Sequence, residues 1–402
     1  MKLSERQSLG LYISIPFCRS KCTYCNFASG VYPASEHARY VGRIIEDLRA
    51  AQAFASGNHL HLPIVVDSIY LGGGTPTLLT GELLAQLFAA IHDVFAVAED
   101  AEITVECAPG QIGDATLYAM AACGVNRASL GVQSFVDVEA AQAGRLHTRK
   151  QVFEDVARLR EAGIRNVNLD LIAGLAGQTL ESWEESLEAL GEAAPTHASI
   201  YMLEVDEDSR LGRELLSGGA RYRAGLVPNE ETIIKLYEHG VEFLSKAGFA
   251  QYEISNFARS GFESRHNLRY WERKPYLGVG LDASSFLYVA EARENFSALR
   301  WSETSELGDY IAKKGAQELQ RLDRHMELEE EFFLGLRKNS GVEVGRLKNH
   351  YGSAAVEAML MAAEAMLVDG LLIHEENLLR FTPRGRLLSN EVFAAFLSLP
   401  GV

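Results

Sequence analysis

The stretch Ser14-Ile-Pro-Phe-Cys18-Arg-Ser-Lys-Cys22-Thr-Tyr-Cys25-Asn-Phe27 separates three cysteines by three and then two residues. It directly follows Leu11-Tyr-Ile-Ser-Ile15, an apolar alternating run that reads as a buried strand. The cysteines therefore occupy a loop at the C-terminal end of a strand. Such a loop can fold the thiolates of Cys18, Cys22 and Cys25 around one face of a [4Fe-4S] cube, leaving one iron without a protein ligand. A structural zinc site is an alternative, but it needs a fourth ligand, and the nearest histidine is His37, twelve residues past Cys25. Redox-inert buried thiols are a second alternative. Residue types and spacing alone leave both open.

Working outward, the chain of 402 residues allows two or three domains, and its 47% hydrophobic and 23% charged residues are ordinary for a soluble globular protein. The polar opening residues and the lack of any membrane-length apolar run lead us to expect a cytoplasmic protein. Of the five cysteines, Cys107 and Cys123 stand alone, so there is no disulfide framework. A net charge of −16 speaks against broad contact with nucleic acid or anionic lipid, which would need a basic face.

After the cysteine loop, Ser35 is expected to cap a helix running to about residue 53. Strands are expected at Ile64–Leu71, Ala101–Cys107, Asn126–Gly131, Asn166–Ile172 and Ala198–Leu203. Helices are expected near 80–95, 114–123, 149–162, 180–193 and 229–247. With Leu11–Ile15 this makes six βα units, which predicts an α/β fold: a partial (β/α)6 TIM-like barrel, open on one side. Residues at the C-terminal ends of such strands carry function, and the cysteine loop, the Gly72 loop, Glu106, Gln133 and Asp170 fall there. Each polar residue alone reads as an ordinary loop side chain; their shared placement sets them apart. Gly72-Gly73-Gly74 removes three β-carbons, which lets backbone approach a small ligand, and no phosphate-loop signature accompanies it.

The barrel is expected to occupy 1–250, with 204–228 as a candidate mobile loop, and a less regular connecting region to occupy 251–320. The latter holds His266-Asn-Leu-Arg-Tyr270-Trp271, where an imidazole beside large aromatics could ligate and stack on a flat macrocycle such as haem. A packing histidine among core aromatics is the plainer alternative. From 321 to 402 the pattern predicts a winged-helix-like domain: helices near 326–338, 343–350 and 354–369, a hairpin of Leu371–His374 and Leu378–Phe381, and a last helix from Pro383. Between 322 and 402 there are 12 Asp and Glu against 8 Lys and Arg, which argues against nucleic acid.

These residues resemble the radical S-adenosylmethionine (SAM) superfamily. The resemblance lies in Cys18-x3-Cys22-x2-Cys25, Gly72-Gly-Gly-Thr-Pro76, Glu106-Cys-Ala-Pro-Gly, Gly131-Val-Gln133-Ser-Phe, Gly144-Arg145-Leu-His and Asn168-Leu-Asp170. With His266–Trp271 and the C-terminal domain it covers nearly the whole chain, and it is greatest to the haem chaperone (HemW) family, also known as oxygen-independent coproporphyrinogen III oxidase-like. The resemblance implies a radical-SAM barrel whose cluster's open iron chelates SAM. Gly72, Gly73, Gly74 and Thr75 would lie against the methionine part, and Glu106, Gln133, Arg145 and Asp170 around the methionine and ribose. It also implies haem as cargo at His266, Tyr270 and Trp271, passed to recipient haem proteins; the absence of a membrane segment does not bar membrane-associated recipients. The related coproporphyrinogen III dehydrogenases carry another cysteine where this chain has Phe27, which favours the chaperone reading over a porphyrin-synthesis enzyme, the alternative. Three positions depart from the family pattern: Ser14 and Asp282 stand where histidines are usual, and Asn26 where aspartate is.

Overall fold

This computed structural model describes residues 7–291, 296–314 and 318–397. Its frame is six parallel strands in sequence order: β1 (Ser8–Ile15), β2 (Val65–Gly73), β3 (Ala96–Cys107), β4 (Arg127–Gln133), β5 (Asn166–Ala173) and β6 (His197–Met202). Alternation along each strand decides which side chains face the helices. Leu11, Ile69, Val105, Leu130, Leu169 and Ile200 belong to one continuous core with the surrounding helices. Burying each such side chain contributes about 1.5–3 kcal/mol. The intervening residues, Tyr12, Ser14, Tyr70, Glu106, Ser129, Asn168 and Asp170 among them, point into the barrel, whose interior is thus unusually polar.

The helices that return the chain are set by their first residues. Thr148 with Gln151, and Thr179 with Ser182, form reciprocal caps on the helices Arg149–Glu161 and Leu180–Ala193. The helix Ser35–Gly57 differs from expectation: Ser35 is its first turn, and Ala34 at the cap offers no side-chain acceptor.

The barrel does not close. Asn256–Ala258 pairs antiparallel with β6 on one flank, and Tyr276–Val279 pairs parallel with β1 on the other. Ser284–Tyr288, Ala298–Ser302 and Glu318–Leu322 continue the sheet outward, so much of the region expected to be irregular is sheet. Period-2 patterning is weak in Tyr276–Val279 and Ser284–Tyr288 because both strands are largely buried on both faces.

The C-terminal helices Arg324–Arg337, Val344–Tyr351, Ser353–Ala362 and Glu364–Val368 pack with a three-stranded sheet, in which the hairpin Leu372–Glu375 and Leu378–Phe381 is joined by Val342–Glu343. Two helices, Pro383–Leu387 and Ser389–Leu397, follow where one was expected. Ile254 joins the core of this part, and Arg273 docks it electrostatically: buried, at φ 50°, it reaches Glu327 (3.3 Å), Glu330 (2.8 Å) and Glu331 (3.6 Å). Beside Arg273 lies a cavity of about 260 Å³, lined in part by Tyr270, Trp271, Tyr276, Phe286 and Phe333.

The segment 204–228 is not an open loop. It contains the helix Arg210–Ser217, and the amide of Leu211 donates to the Thr23 carbonyl at 2.8 Å, tying it to the cysteine loop. Among the described residues, no helix is long and apolar enough to cross a membrane.

Candidate cluster and cofactor site

The cysteine loop is pinched where it leaves β1. Gly30 N donates to the Pro16 carbonyl and Cys18 N to the Gly30 carbonyl, each at 2.9 Å. Lys21 Nζ crosses the loop to the carbonyls of Phe27 (3.0 Å) and Ser29 (3.1 Å). Within this frame the thiols of Cys18, Cys22 and Cys25 lie near enough for a charge on one to bear on the others. Burial raises the pKa of both Cys18 and Cys25, Ser29 hydrogen-bonds to both thiols, and the neighbouring sulfurs push them up further. Phe27 points away into solvent, 63% exposed, and Asn26 donates to Asp206 at 2.9 Å.

Among the described residues no three His, Cys, Asp or Glu side chains converge so as to hold a metal ion. Zinc would require ligands within about 2.3 Å of one point. An iron-sulfur cube takes one thiolate at each of three separate irons, so it does not need the three sulfurs to meet at a single point. His37, the candidate fourth zinc ligand, instead stacks on Phe17 with ring centroids 3.9 Å apart.

The glycine loop at the end of β2 is stitched to the same place. Gly74 N donates to the Ile15 carbonyl (2.9 Å) and Thr75 N to the Phe17 carbonyl (2.8 Å), and the Thr75 hydroxyl reaches Cys18. The missing β-carbons make room mainly for the chain itself. A β-carbon on Gly72 would lie 2.9 Å from the Glu106 carboxyl, one on Gly73 2.9 Å from the Ser14 hydroxyl, and one on Gly74 2.8 Å from the Ile15 carbonyl. The glycines thus let three strand ends converge.

Glu106 lies beside them, accepting from the Tyr70 hydroxyl at 2.8 Å and from Gly73 N at 3.1 Å. Burial raises its pKa to about 7; the Tyr70 hydrogen bond opposes this and the charge of Asp170 adds to it. Asp170 accepts from Asn168 (2.7 Å) and Ser129 (3.2 Å). Arg145 spans the site: one terminal nitrogen donates to Cys22 Sγ at 3.4 Å and the other to the Gly131 carbonyl. Next to it the pairing of β4 with β5 slips by one residue, Gln133 takes a left-handed conformation (φ 71°), and its buried Oε1 has no partner. A strained bulge aiming an orphaned acceptor fits a ligand-binding position.

The structure therefore gathers Cys18, Cys22, Cys25, Gly72 to Thr75, Glu106, Gln133, Arg145 and Asp170 at one end of the barrel. Two departures from the family pattern meet there as well: Ser14 is buried against Gly280, and Asp282 lies close enough to bear on the Tyr12 phenol. His266 is elsewhere, inside the opposite end, with Nδ1 3.0 Å from the Ser68 hydroxyl and Nε2 2.9 Å from the Tyr270 hydroxyl. Both ring nitrogens are thus taken, whereas Tyr270 and Trp271 line the cavity beside Arg273. Tyr12 and Tyr70, whose rings stack at 6.2 Å, escaped notice in the sequence; each sits two residues before a marked inward position, Ser14 and Gly72, which was the available signal.

Residues 12–190 match the model of the radical SAM superfamily and residues 322–388 that of the HemN C-terminal domain. The haem chaperone HemW of Lactococcus lactis is 32% identical over 393 residues, covering 96% of each chain. That of Bacillus subtilis is 34% identical over 389 residues, 96% of this chain and 98% of its own. The chain belongs to the HemW family. Membership in this branch of the radical SAM superfamily implies a [4Fe-4S] cluster and SAM. Coproporphyrinogen III oxidase HemN of Escherichia coli shares the fold, with a TM-score of 0.81 at 21% identity over 98% of this chain and 91% of that one.

Proposed function

We propose that this chain holds a [4Fe-4S] cluster on Cys18, Cys22 and Cys25, binds SAM beside it, and carries haem to recipient haem proteins. The observation that carries the reading is that one pinched loop holds all three cysteines and that Arg145 joins Cys22 of that loop to the strand end bearing Gln133. A cluster and SAM held there would supply one-electron reduction of a sulfonium. Arg145 would meet the SAM carboxylate, Glu106 its ammonium, and Asp170 the ribose hydroxyls, each by charge-assisted hydrogen bonds. Gln133 would offer its unpartnered oxygen, and the Gly72–Thr75 backbone would line the methionine.

The haem cargo is assigned to the cavity side of the chain, at Tyr270 and Trp271, where the aromatic walls suit a macrocycle edge. The cavity lies below the roughly 300–1,000 Å³ range of sites that enclose a drug-sized ligand, so the macrocycle would extend beyond it. Phe27 offers no further ligand at the position where the dehydrogenases have cysteine.

The test is anaerobic reconstitution of wild type and Cys22→Ala, followed by iron and sulfide analysis and haem titration by absorption. Wild type is expected to hold four irons and bind haem stoichiometrically, and the variant to lose the cluster. Four irons retained in Cys22→Ala would sink the cluster assignment. Substrate-dependent release of 5′-deoxyadenosine with a tetrapyrrole would instead indicate an enzyme.

A further inference from the structure

The helix Arg265–Trp271 plugs the N-terminal end of the barrel, beneath the candidate cofactor site. The Ser264 hydroxyl caps it by accepting from Asn267 N (3.3 Å), and the Glu102 carboxylate accepts from the amides of Arg265 (3.1 Å) and His266 (3.0 Å). Arg269 anchors it by donating to the carbonyls of Ser8 (3.2 Å) and Pro275 (3.0 Å) and by pairing with Asp67. These contacts fix the imidazole of His266, only 1% exposed, between Ser68 and Tyr270.

The face of that imidazole lies against the ring of Tyr70, with centroids 5.3 Å apart and planes inclined by 29°. The ring of Tyr270 stands nearly perpendicular to it, with centroids 5.2 Å apart and planes at 89°. Tyr70 in turn makes the 2.8 Å hydrogen bond to Glu106 that leaves the second carboxylate oxygen facing Gly73 N. A contact chain thus runs up the inside of the barrel from the plug helix to the glycine loop. Every link in it is a flat ring or a directed hydrogen bond, so a shift at the bottom tilts the carboxylate at the top.

We propose that His266 is a positioning residue for the SAM site, acting through Tyr70, whose hydroxyl aims the Glu106 carboxylate. The inference rests on the reading that Glu106 binds SAM. A free Tyr70 ring could rotate; packed on an imidazole that is itself hydrogen-bonded at both nitrogens, it holds one orientation at no entropic cost when ligand arrives. The groups that bear on Glu106 are Tyr70 and Tyr12 from the first two strands, Asp170 and Tyr201 from the far wall, Arg145 above and Tyr270 below. Asp170 opposes ionisation of Glu106, while Arg145 and the Tyr70 hydroxyl favour it. Removing that hydroxyl therefore raises the pH at which the carboxylate becomes available to an ammonium group.

The experiment measures SAM affinity by equilibrium dialysis on anaerobically reconstituted wild type, Tyr70→Phe, His266→Ala and the double variant, across about pH 6–9 to bracket a carboxyl displaced toward neutrality. Tyr70→Phe, which removes the hydrogen bond to the Glu106 carboxylate, is expected to bind SAM about tenfold more weakly, and His266→Ala, which only frees the Tyr70 ring, to bind it more weakly by up to the same factor. The rise of affinity with pH is expected to move upward in Tyr70→Phe. The double variant is expected to be no weaker than Tyr70→Phe alone, because His266 acts through Tyr70. Haem titration of the same His266→Ala sample shows whether the substitution acts on the haem site instead. Additive losses in the double variant, or a His266→Ala protein that keeps SAM affinity while losing haem, would overturn the proposal. Tyr70→Phe keeps the ring and decides the matter by its pH profile even if His266→Ala does not fold. Wild type that holds four irons yet binds no SAM would instead overturn the reading of Glu106, and this inference with it.

Discussion

Arg145 donates to Cys22 Sγ at 3.4 Å across 123 residues of chain, while its other terminal nitrogen is fixed on the Gly131 carbonyl. The guanidinium thus couples the cysteine loop to the end of β4. Hydrogen bonds to cluster sulfurs are among the levers that raise reduction potential. Arg145→Lys keeps the charge but cannot span both partners. The expected outcome is a more negative cluster potential in spectroelectrochemical titration, together with SAM binding weakened by about tenfold, the loss of one fork contact.

Asn168 holds four inward groups together: it donates to Ser129 and Asp170 and accepts from Ser199 and the His197 ring. Asn168→Ala leaves these buried groups short of partners, each worth about 1–3 kcal/mol when unmet. Some relax onto one another, so we expect a loss of about 3 kcal/mol in urea unfolding, within the upper range of single substitutions. A loss below about 1 kcal/mol would show that water replaces Asn168.

Gly74→Ala drives a methyl to 2.8 Å from the Ile15 carbonyl and 2.9 Å from that of Phe17, both backbone atoms at the root of the cysteine loop. The expected cost is about 1–3 kcal/mol of stability, with reduced iron retention after reconstitution. Gly42→Ala is the control: it lies within the helix Ser35–Gly57 with no atom within 4 Å of the added carbon, and should stabilise by about 0.5–1 kcal/mol. Thermal unfolding with iron analysis checks both.

Arg273 is the charged rivet of the C-terminal part. Arg273→Leu strands Glu327, Glu330 and Glu331 without their shared partner, although Arg300 and Arg346 remain on two of them. Breaking such a buried set costs about 3–5 kcal/mol. We expect limited proteolysis to cleave near residue 322 first in the variant, at the boundary of the matched C-terminal domain.

His147 is buried with neither ring nitrogen hydrogen-bonded to a side-chain partner, and burial followed by the nearby Arg145 charge lowers its pKa from 6.5 to about 4. Between those values the unfolded chain binds a proton that the folded chain does not, so stability rises with pH across that window and is lost on acidification. His147→Leu is expected to flatten the slope of stability against pH there by up to about 1.4 kcal/mol per unit, measured by urea titration at several pH values.

What the sequence by itself determined was everything carried by local periodicity and by residues close in the chain. Alternation marked β1 to β6, and six βα units implied an open barrel, because a parallel pair needs a crossover and a right-handed one. The strand ends collected Gly72 to Thr75, Glu106, Gln133 and Asp170, since period-2 geometry sends such residues to one rim. Three cysteines within eight residues needed no distant partner to be recognised. The tertiary structure alone decided contacts whose members are far apart: Arg145 on Cys22, Leu211 on Thr23, and Glu102 beneath His266. The sequence marked His266, Tyr270 and Trp271 as one motif in a less regular region, but not that they share a short helix, nor that the imidazole turns inward to Ser68 while Trp271 turns toward the cavity. Which side of a seven-residue helix is buried depends on the surfaces that receive it, and those surfaces come from strands nearly two hundred residues earlier.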